Sequence, residues 1–235
     1  NLPKIYHLNQ EPYRSIPEIN LLISGKLSSA EEFFLAKILP SNVKIKFVRE
    51  DCCYHLEKCI FVQPLTRWMS GYLPRPYLEH FAEKALPQRA RNRKNRIFIS
   101  RKSASKRHIK NESELMSCLR PYGFKSYSLE NLTVEEQAEL FYDAEYIIGV
   151  HGAGMSNILF AEQANVLEIF PGSEIIPHYY FLSKSLGHKH QLFFANASNN
   201  INEKAFEVNV TELMEILELD LELDLVEDLS QYCLV

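Results

Sequence analysis

From Arg96 onward the hydrophobic and polar positions switch regularly between a period of two and a period near 3.6, and the switches mark out the elements. Residues 96–100 (RIFIS) form a short β-branched and aromatic run flanked by polar residues, the pattern of a strand. Asn111 with Glu114 has the spacing of a capping box; Leu115, Met116 and Leu119 supply an apolar helix face, and Pro121 with Gly123 ends it. Residues 124–129 alternate as a strand, and Thr133 with Glu136 opens a second helix running to about Asp143. Residues 146–150 (YIIGV) are almost wholly apolar, which suits a central parallel strand covered on both faces. Residues 152–161 read as loop then helix, 166–170 (VLEIF) as strand, 177–186 as helix, 191–195 as strand and 206–210 as a further strand. Leu213, Ile216, Leu217, Leu221 and Leu225 then recur at helical spacing. The eight acids of residues 212–228, with no base among them, are thus expected on the solvated face of a terminal amphipathic helix.

Strands alternating with short helices imply right-handed βαβ units and a mostly parallel sheet, so residues 91–235 are expected to form a Rossmann-like α/β lobe. Residues 1–90 alternate less regularly. Residues 43–48 and 59–62 read as strands and 76–86 as a helix, which predicts a smaller or truncated N-terminal α/β lobe.

Length and composition narrow the class. A chain of 235 residues makes one large domain or two small ones, and 46% hydrophobic with 24% charged residues is ordinary globular composition, which excludes disorder, collagen and coiled coil. No stretch approaches the roughly 18 uninterrupted apolar residues of a membrane span, and the opening residues lack the basic start and apolar core of a signal peptide. The chain opens on Asn1 rather than Met, so a trimmed form is expected. The expected setting is cytoplasmic, with peripheral association at the inner membrane and a secretory-pathway lumen both left open. Five cysteines (Cys52, Cys53, Cys59, Cys118, Cys233) make an odd number with no CxxC spacing, and we expect reduced thiols buried as small hydrophobes. Sequons begin at Asn111, Asn131, Asn196 and Asn209 and matter only in a secreted chain.

In a parallel α/β sheet a ligand binds outside the carboxyl ends of the strands, so the informative positions follow RIFIS, YIIGV and VLEIF. After YIIGV comes His151-Gly152-Ala153-Gly154-Met155-Ser156-Asn157, whose amides at a helix start suit a phosphate. The spacing completes neither a dinucleotide fingerprint nor a GxxxxGK loop, and the glycines could equally serve a tight turn. His151 is placed to donate to a phosphate or sugar hydroxyl, or to tie the loop to a carbonyl. Ser100-Arg101-Lys102-Ser103, with Lys106 and Arg107, brings cations to the same sheet edge, where guanidinium forks match phosphate oxygens. The ten Lys and Arg of residues 89–110 also admit a solvated basic face or a nucleic-acid patch. An isoelectric point near 6.1 and the lack of a recognition motif argue against nucleic acid. Glu168 sits inside an apolar strand, where a carboxylate needs a partner: a ribose or sugar hydroxyl, or an ion pair with Arg101 or Arg107. His178, His188 and His190 lack convincing second ligands, and no Asp-x-Asp pair follows a strand, so no metal site is expected.

RIFISRKSASKRHIKNESEL, GFKSYSLENLTVEEQAELFYDAEYIIGVHGAGMSNILFA and VLEIFP together resemble glycosyltransferase family 61, over about residues 96–172. The resemblance rests on the strand ending in Ser-Arg, the Leu-Thr-x-x-Glu-Gln helix start, His-Gly-Ala-Gly and Leu-Glu-Ile-Phe-Pro in order; Met155 stands where Leu is usual. It implies a GT-B arrangement of two Rossmann-like lobes and an inverting, metal-independent enzyme without a cofactor, moving a sugar from a nucleotide-sugar donor, expected to be UDP-linked, to a polysaccharide, glycolipid or glycan acceptor. Ser100, Arg101, Arg107, His151, Gly152, Ala153, Gly154, Asn157 and Glu168 would then line the donor site, with the two arginines on the diphosphate. An inverting displacement also needs a general base. Glu50, Asp51 and His55, which follow the strand at 43–48, and His151 are the candidates. The alternative is a degenerate homologue that binds nucleotide or a partner protein; nucleic acid is not expected, and the oligomeric state is left open.

Overall fold

The computed structural model describes residues 2–62, 71–195 and 204–225. The chain forms two compact units, one of residues 2–62 and 73–88, the other of residues 71–72, 89–195 and 204–225.

The N-terminal unit is built on a parallel pair, β1 (Ile19–Ser24) and β2 (Val43–Val48), joined through α1 (Ser29–Ile38). A full capping box starts α1: Glu31 N donates to Ser28 Oγ at 3.3 Å, and Ser28 N donates back to the Glu31 carboxylate at 2.8 Å. The opening 3₁₀ helix (Leu2–Asn9) and α2 (Arg75–Ala85) add Ile5, Leu8, Tyr77, Phe81 and Ala85 to a core with Phe34, Leu35, Ile38 and Val43. The sequence pattern found β2 and α2 but not β1 or α1, although Ser28-x-x-Glu31 is the spacing that signals α1. Residues 59–62, expected as a strand, are irregular, with Phe61 largely exposed. Cys52, Cys53, Cys59 and Cys118 are free thiols as expected but exposed rather than buried; Cys233 lies outside the described residues.

The C-terminal unit is a three-layer α/β structure. Five parallel strands, β3 (Asn95–Ile99), β5 (Phe124–Tyr127), β6 (Ala144–Val150), β7 (Asn165–Phe170) and β8 (Lys189–Phe194), pair in the order β5-β3-β6-β7-β8. A minor parallel pair, β4 (His108–Ile109) with β9 (Ala205–Phe206), lies apart from that sheet. The expected strand at 206–210 is therefore not a sixth strand of the sheet. One face packs Phe98, Ile148, Leu167, Ile169 and Phe193 under α3 (Glu112–Leu119) and α6 (Val210–Leu219), using Leu115, Leu119, Leu213 and Leu217. The opposite face, which carries Ile97, Ile147, Val166, Glu168 and Phe170, lies on the side of α4 (Val134–Tyr142), a 3₁₀ helix (Ala153–Phe160) and α5 (His178–Leu186).

Local signals explain most boundaries. Thr133 and Glu136 form the expected capping box of α4, with Thr133 N to the Glu136 carboxylate at 2.7 Å. Asn111 does not cap α3: its amide instead exchanges two hydrogen bonds with the backbone of Val208, at 2.9 and 3.0 Å. Tertiary pairing has outcompeted the local cap. Gly123 ends the next turn at φ +78, the left-handed conformation only glycine adopts freely. The segment after β6 is a 3₁₀ helix rather than an α-helix. Leu225 lies beyond the last helix and is exposed, and residues 226–228 of the acidic run are outside the described residues. No helix among the described residues is long and apolar enough to cross a membrane.

Candidate functional site

Ranked along the chain, the sheet's strands run second, first, third, fourth, fifth, so the order reverses between β3 and β6. A crevice opens at such a reversal at the carboxyl ends of the strands. Arg101 follows β3 there, and His151 with Gly152 follows β6.

Arg101 and Arg107 converge on this crevice. The Arg101 guanidinium lies over Gly152, where a Cβ would stand 2.5 Å from Nη1 and have to push the arginine aside. Arg101 Nη2 donates to the Lys106 carbonyl at 3.2 Å, and Arg107 Nη1 to the His151 carbonyl at 2.6 Å. Arg107 holds φ +61, a conformation uncommon outside glycine and asparagine that Gln163 and Glu222 also adopt. Both Nε atoms are buried with no hydrogen-bond partner, and among the described residues neither guanidinium forms an ion pair. Burial first, and then the charge of Arg107, push the pKa of Arg101 down from its ordinary value. Glu130 acts on Arg101 through its charge, but two neighbouring half-buried cations that form no ion pair among the described residues are an arrangement that an anion would stabilise.

His151 sits in a buried line of polar groups. Its Nδ1 is 2.6 Å from Glu168 Oε1; Glu168 Oε2 is 3.1 Å from His190 Nε2; His190 Nδ1 is 2.6 Å from Ser183 Oγ. All four residues are buried, Glu168 completely. Burial alone would push the Glu168 carboxyl up, but hydrogen bonds from the two imidazoles outweigh it and hold the pKa below the ordinary carboxylate value. The ion pair of Glu168 with Arg101 or Arg107 does not form. The His151 ring stacks on Phe170 (centroids 4.9 Å apart) and meets Tyr179 of α5 at 5.3 Å. Burial and then Glu168 raise the Tyr179 pKa, while Arg107 and Arg101 oppose them, so this phenol faces the same cluster.

Other expected residues do structural work in this structure. Ser100 Oγ donates to the buried Glu112 carboxylate at 2.8 Å, and Lys102 Nζ lies 3.5 Å from the same group. Asn157 donates to Gln137 Oε1 at 2.9 Å, and Gln137 in turn bonds the Leu129 and Leu132 carbonyls, which ties the 3₁₀ helix to α4. A Cβ on Gly154 would press on Leu129 and Ile99, and one on Gly149 would meet the Met155 sulfur at 2.8 Å, so these two glycines serve close packing. Ala153, in the first turn of the 3₁₀ helix, is exposed. Glu50, Asp51 and His55 lie in the N-terminal unit on the segment after β2; all three are exposed, and both oxygens of Asp51 accept from Arg49.

The family model described as Glycosyltransferase 61 matches residues 2–167. The chain belongs to glycosyltransferase family 61. Membership makes it a glycosyltransferase, which binds a donor and an acceptor. The match begins far ahead of Arg96, so the N-terminal unit is part of the family region although its residues carried no readable motif. No curated protein matches the chain. Within this family 61 chain, the sequence pattern left out Tyr179 and Ser183, and His190 was weighed only as a metal ligand. Tyr179 opens a helix at the already suspect sheet edge, a signal that was present in the pattern. Ser183 and His190 reach Glu168 only through the fold: His190 pairs with Val166, two places before Glu168, so both side chains leave the same face of the sheet.

Proposed function

We propose that this family 61 enzyme is an inverting, metal-independent glycosyltransferase of GT-B type, moving a hexose or pentose from a UDP-linked donor to a polysaccharide, glycolipid or glycan acceptor. The observation that carries the reading is the pair Arg101 and Arg107: neighbouring cations with buried, unpartnered Nε atoms that, among the described residues, form no ion pair with a carboxylate, Glu130 acting on Arg101 only through its charge. A nucleoside diphosphate supplies the missing charge and acceptor oxygens. The amides that open the 3₁₀ helix at Ala153 and Gly154 lie beside them and, as first-turn donors, have no acceptor within the helix.

In the reaction the acceptor hydroxyl attacks the anomeric carbon, the bond from that carbon to the diphosphate oxygen breaks, and its electron pair leaves on the phosphate. Arg101 and Arg107 neutralise the charge that develops, the task a divalent metal performs elsewhere. The hydroxyl proton passes to a carboxylate or imidazole, for which Glu50, Asp51, His55 and His151 are the candidates.

A thermal-shift panel of UDP, GDP, CMP and their sugar conjugates, with magnesium or with EDTA, tests this. Binding to the folded state raises the melting temperature by mass action. A rise with one nucleoside diphosphate class in EDTA is expected. A rise that requires magnesium, or none at all from folded protein, contradicts the proposal. The small two-stranded sheet of the N-terminal unit favours a second reading, a degenerate member that binds without turnover; transfer or donor hydrolysis by the purified chain eliminates it.

A further inference from the structure

Glu168 carries more hydrogen bonding than the donor-site reading uses. An ionised carboxylate only accepts, so the His151 nitrogen that faces it, Nδ1, carries its proton, and so does His190 Nε2. A neutral His190 then accepts from the Ser183 hydroxyl through Nδ1. Every polar atom of this line has a partner except His151 Nε2, which forms no hydrogen bond among the described residues. Proton exchange between the line and a ligand can occur only there.

We propose that His190, backed by Ser183, is a positioning residue: it takes half of the Glu168 carboxylate, so that His151 is held in one tautomer with Nε2 presented to the crevice. The proposal rests on the donor-site reading for the ligand but not for the relay itself. His190 lies on β8 and Ser183 on α5, so a strand and a helix that follow the glycine loop in the chain fix the state of its histidine. The analogy in chemistry is the carboxylate that orients a catalytic imidazole, here with a second imidazole sharing the carboxylate. The groups that face His151 are Glu168 from β7, Tyr179 from α5, and Arg107 and Arg101 from the segment after β3; those that face His190 are Glu168, Ser183 and the Tyr180 ring, with the neutral His188 near enough for the two imidazoles to influence each other.

Loss of His190 should leave the whole carboxylate to His151 and so favour the His151 imidazolium. The test is a pH titration of the His151 ring nitrogens by long-range ¹H–¹⁵N correlation in the full ligand-free chain, with kcat/KM against pH as second readout. His190→Phe should raise the His151 titration midpoint by about one unit and lower kcat by about tenfold. His190→Gln keeps a donor toward Glu168 and an acceptor for Ser183, so it should restore both. If His190→Phe fails to fold, Ser183→Ala, which frees the His190 ring, should move the midpoint in the same direction by a smaller amount. Identical His151 titration in wild type and in every folded variant overturns the proposal. Because the ring titration needs no donor, a protein that binds no nucleotide but shows the shift sinks the donor-site reading and leaves the relay standing.

Discussion

The basic run of residues 89–110 divides into two groups of arginine with opposite fates. Arg89 forms hydrogen bonds with Asp143 and Glu139; Arg91 donates to the carbonyls of Tyr142 and Phe160 and lies 3.9 Å from the Tyr142 ring centroid; Arg93 reaches the Gln163 carbonyl, and Arg96 pairs with Glu145. These four staple β3 and the segment that leads into it to α4, β6 and the 3₁₀ helix. Arg101 and Arg107 stand a few residues later, beyond the carboxyl end of β3, and among the described residues bond carbonyls but form no ion pair. Charge density along the sequence is the same; the topology decides which cations are consumed by the fold and which are left for an anion.

Neutralising one member of each group separates their roles. Arg101→Met should weaken nucleoside diphosphate binding by about 100-fold, the loss of a charge-assisted contact of about 3 kcal/mol, while leaving the melting temperature unchanged or raised because a like-charge neighbour is gone. Calorimetric titration and a thermal melt on the same sample check both halves. Arg91→Met should do the reverse: stability falls by about 2 to 3 kcal/mol because two carbonyls lose their donor, and nucleotide affinity stays within about twofold.

His188 extends the contrast to histidine. Its Nδ1 accepts from Ala164 N at 3.0 Å and its Nε2 faces the Ile158 carbonyl at 3.1 Å, so the buried ring is neutral, and burial pushes its pKa from 6.5 to about 4. A folded-state value below the unfolded one means that its contribution is full above pH 6.5 and is lost as the pH falls toward 4. Denaturant unfolding across that window should show a loss of up to about 3 kcal/mol. His188→Gln should flatten that slope. The smallest effect is at the helix starts: Thr133→Ala should cost about 1 kcal/mol through the lost cap of α4, whereas Asn111→Ala should act by loosening the backbone around Val208 instead of by uncapping α3.

Those two helix starts also show what the chain makes readable. Thr133 and Glu136 decide their geometry within four residues, so pattern and structure agree. Asn111 and Glu114 have the same local signal, but a backbone segment nearly a hundred residues away takes the amide. The five parallel strands were legible for the same reason as α4, since apolar runs and turn residues are local; β9 and residues 59–62 were misread because short apolar runs do not say what pairs with them. At the site, the sheet edge, both arginines, His151 and Glu168 were legible as residues that must find partners. Their actual partners were not: Glu168 chose two imidazoles rather than a guanidinium, and His190 and Ser183 became visible only once β7, β8 and α5 were packed together.

On our proposal, Arg101 and Arg107 are the cations left for a nucleoside diphosphate. Calorimetric titration of UDP in EDTA into wild type, Arg101→Met, Arg107→Met and Arg91→Met measures it most directly. One metal-independent site is expected in wild type and Arg91→Met, weakened by about 100-fold in each of the other two variants. Equal affinity in all four proteins, or binding abolished by EDTA, would contradict it.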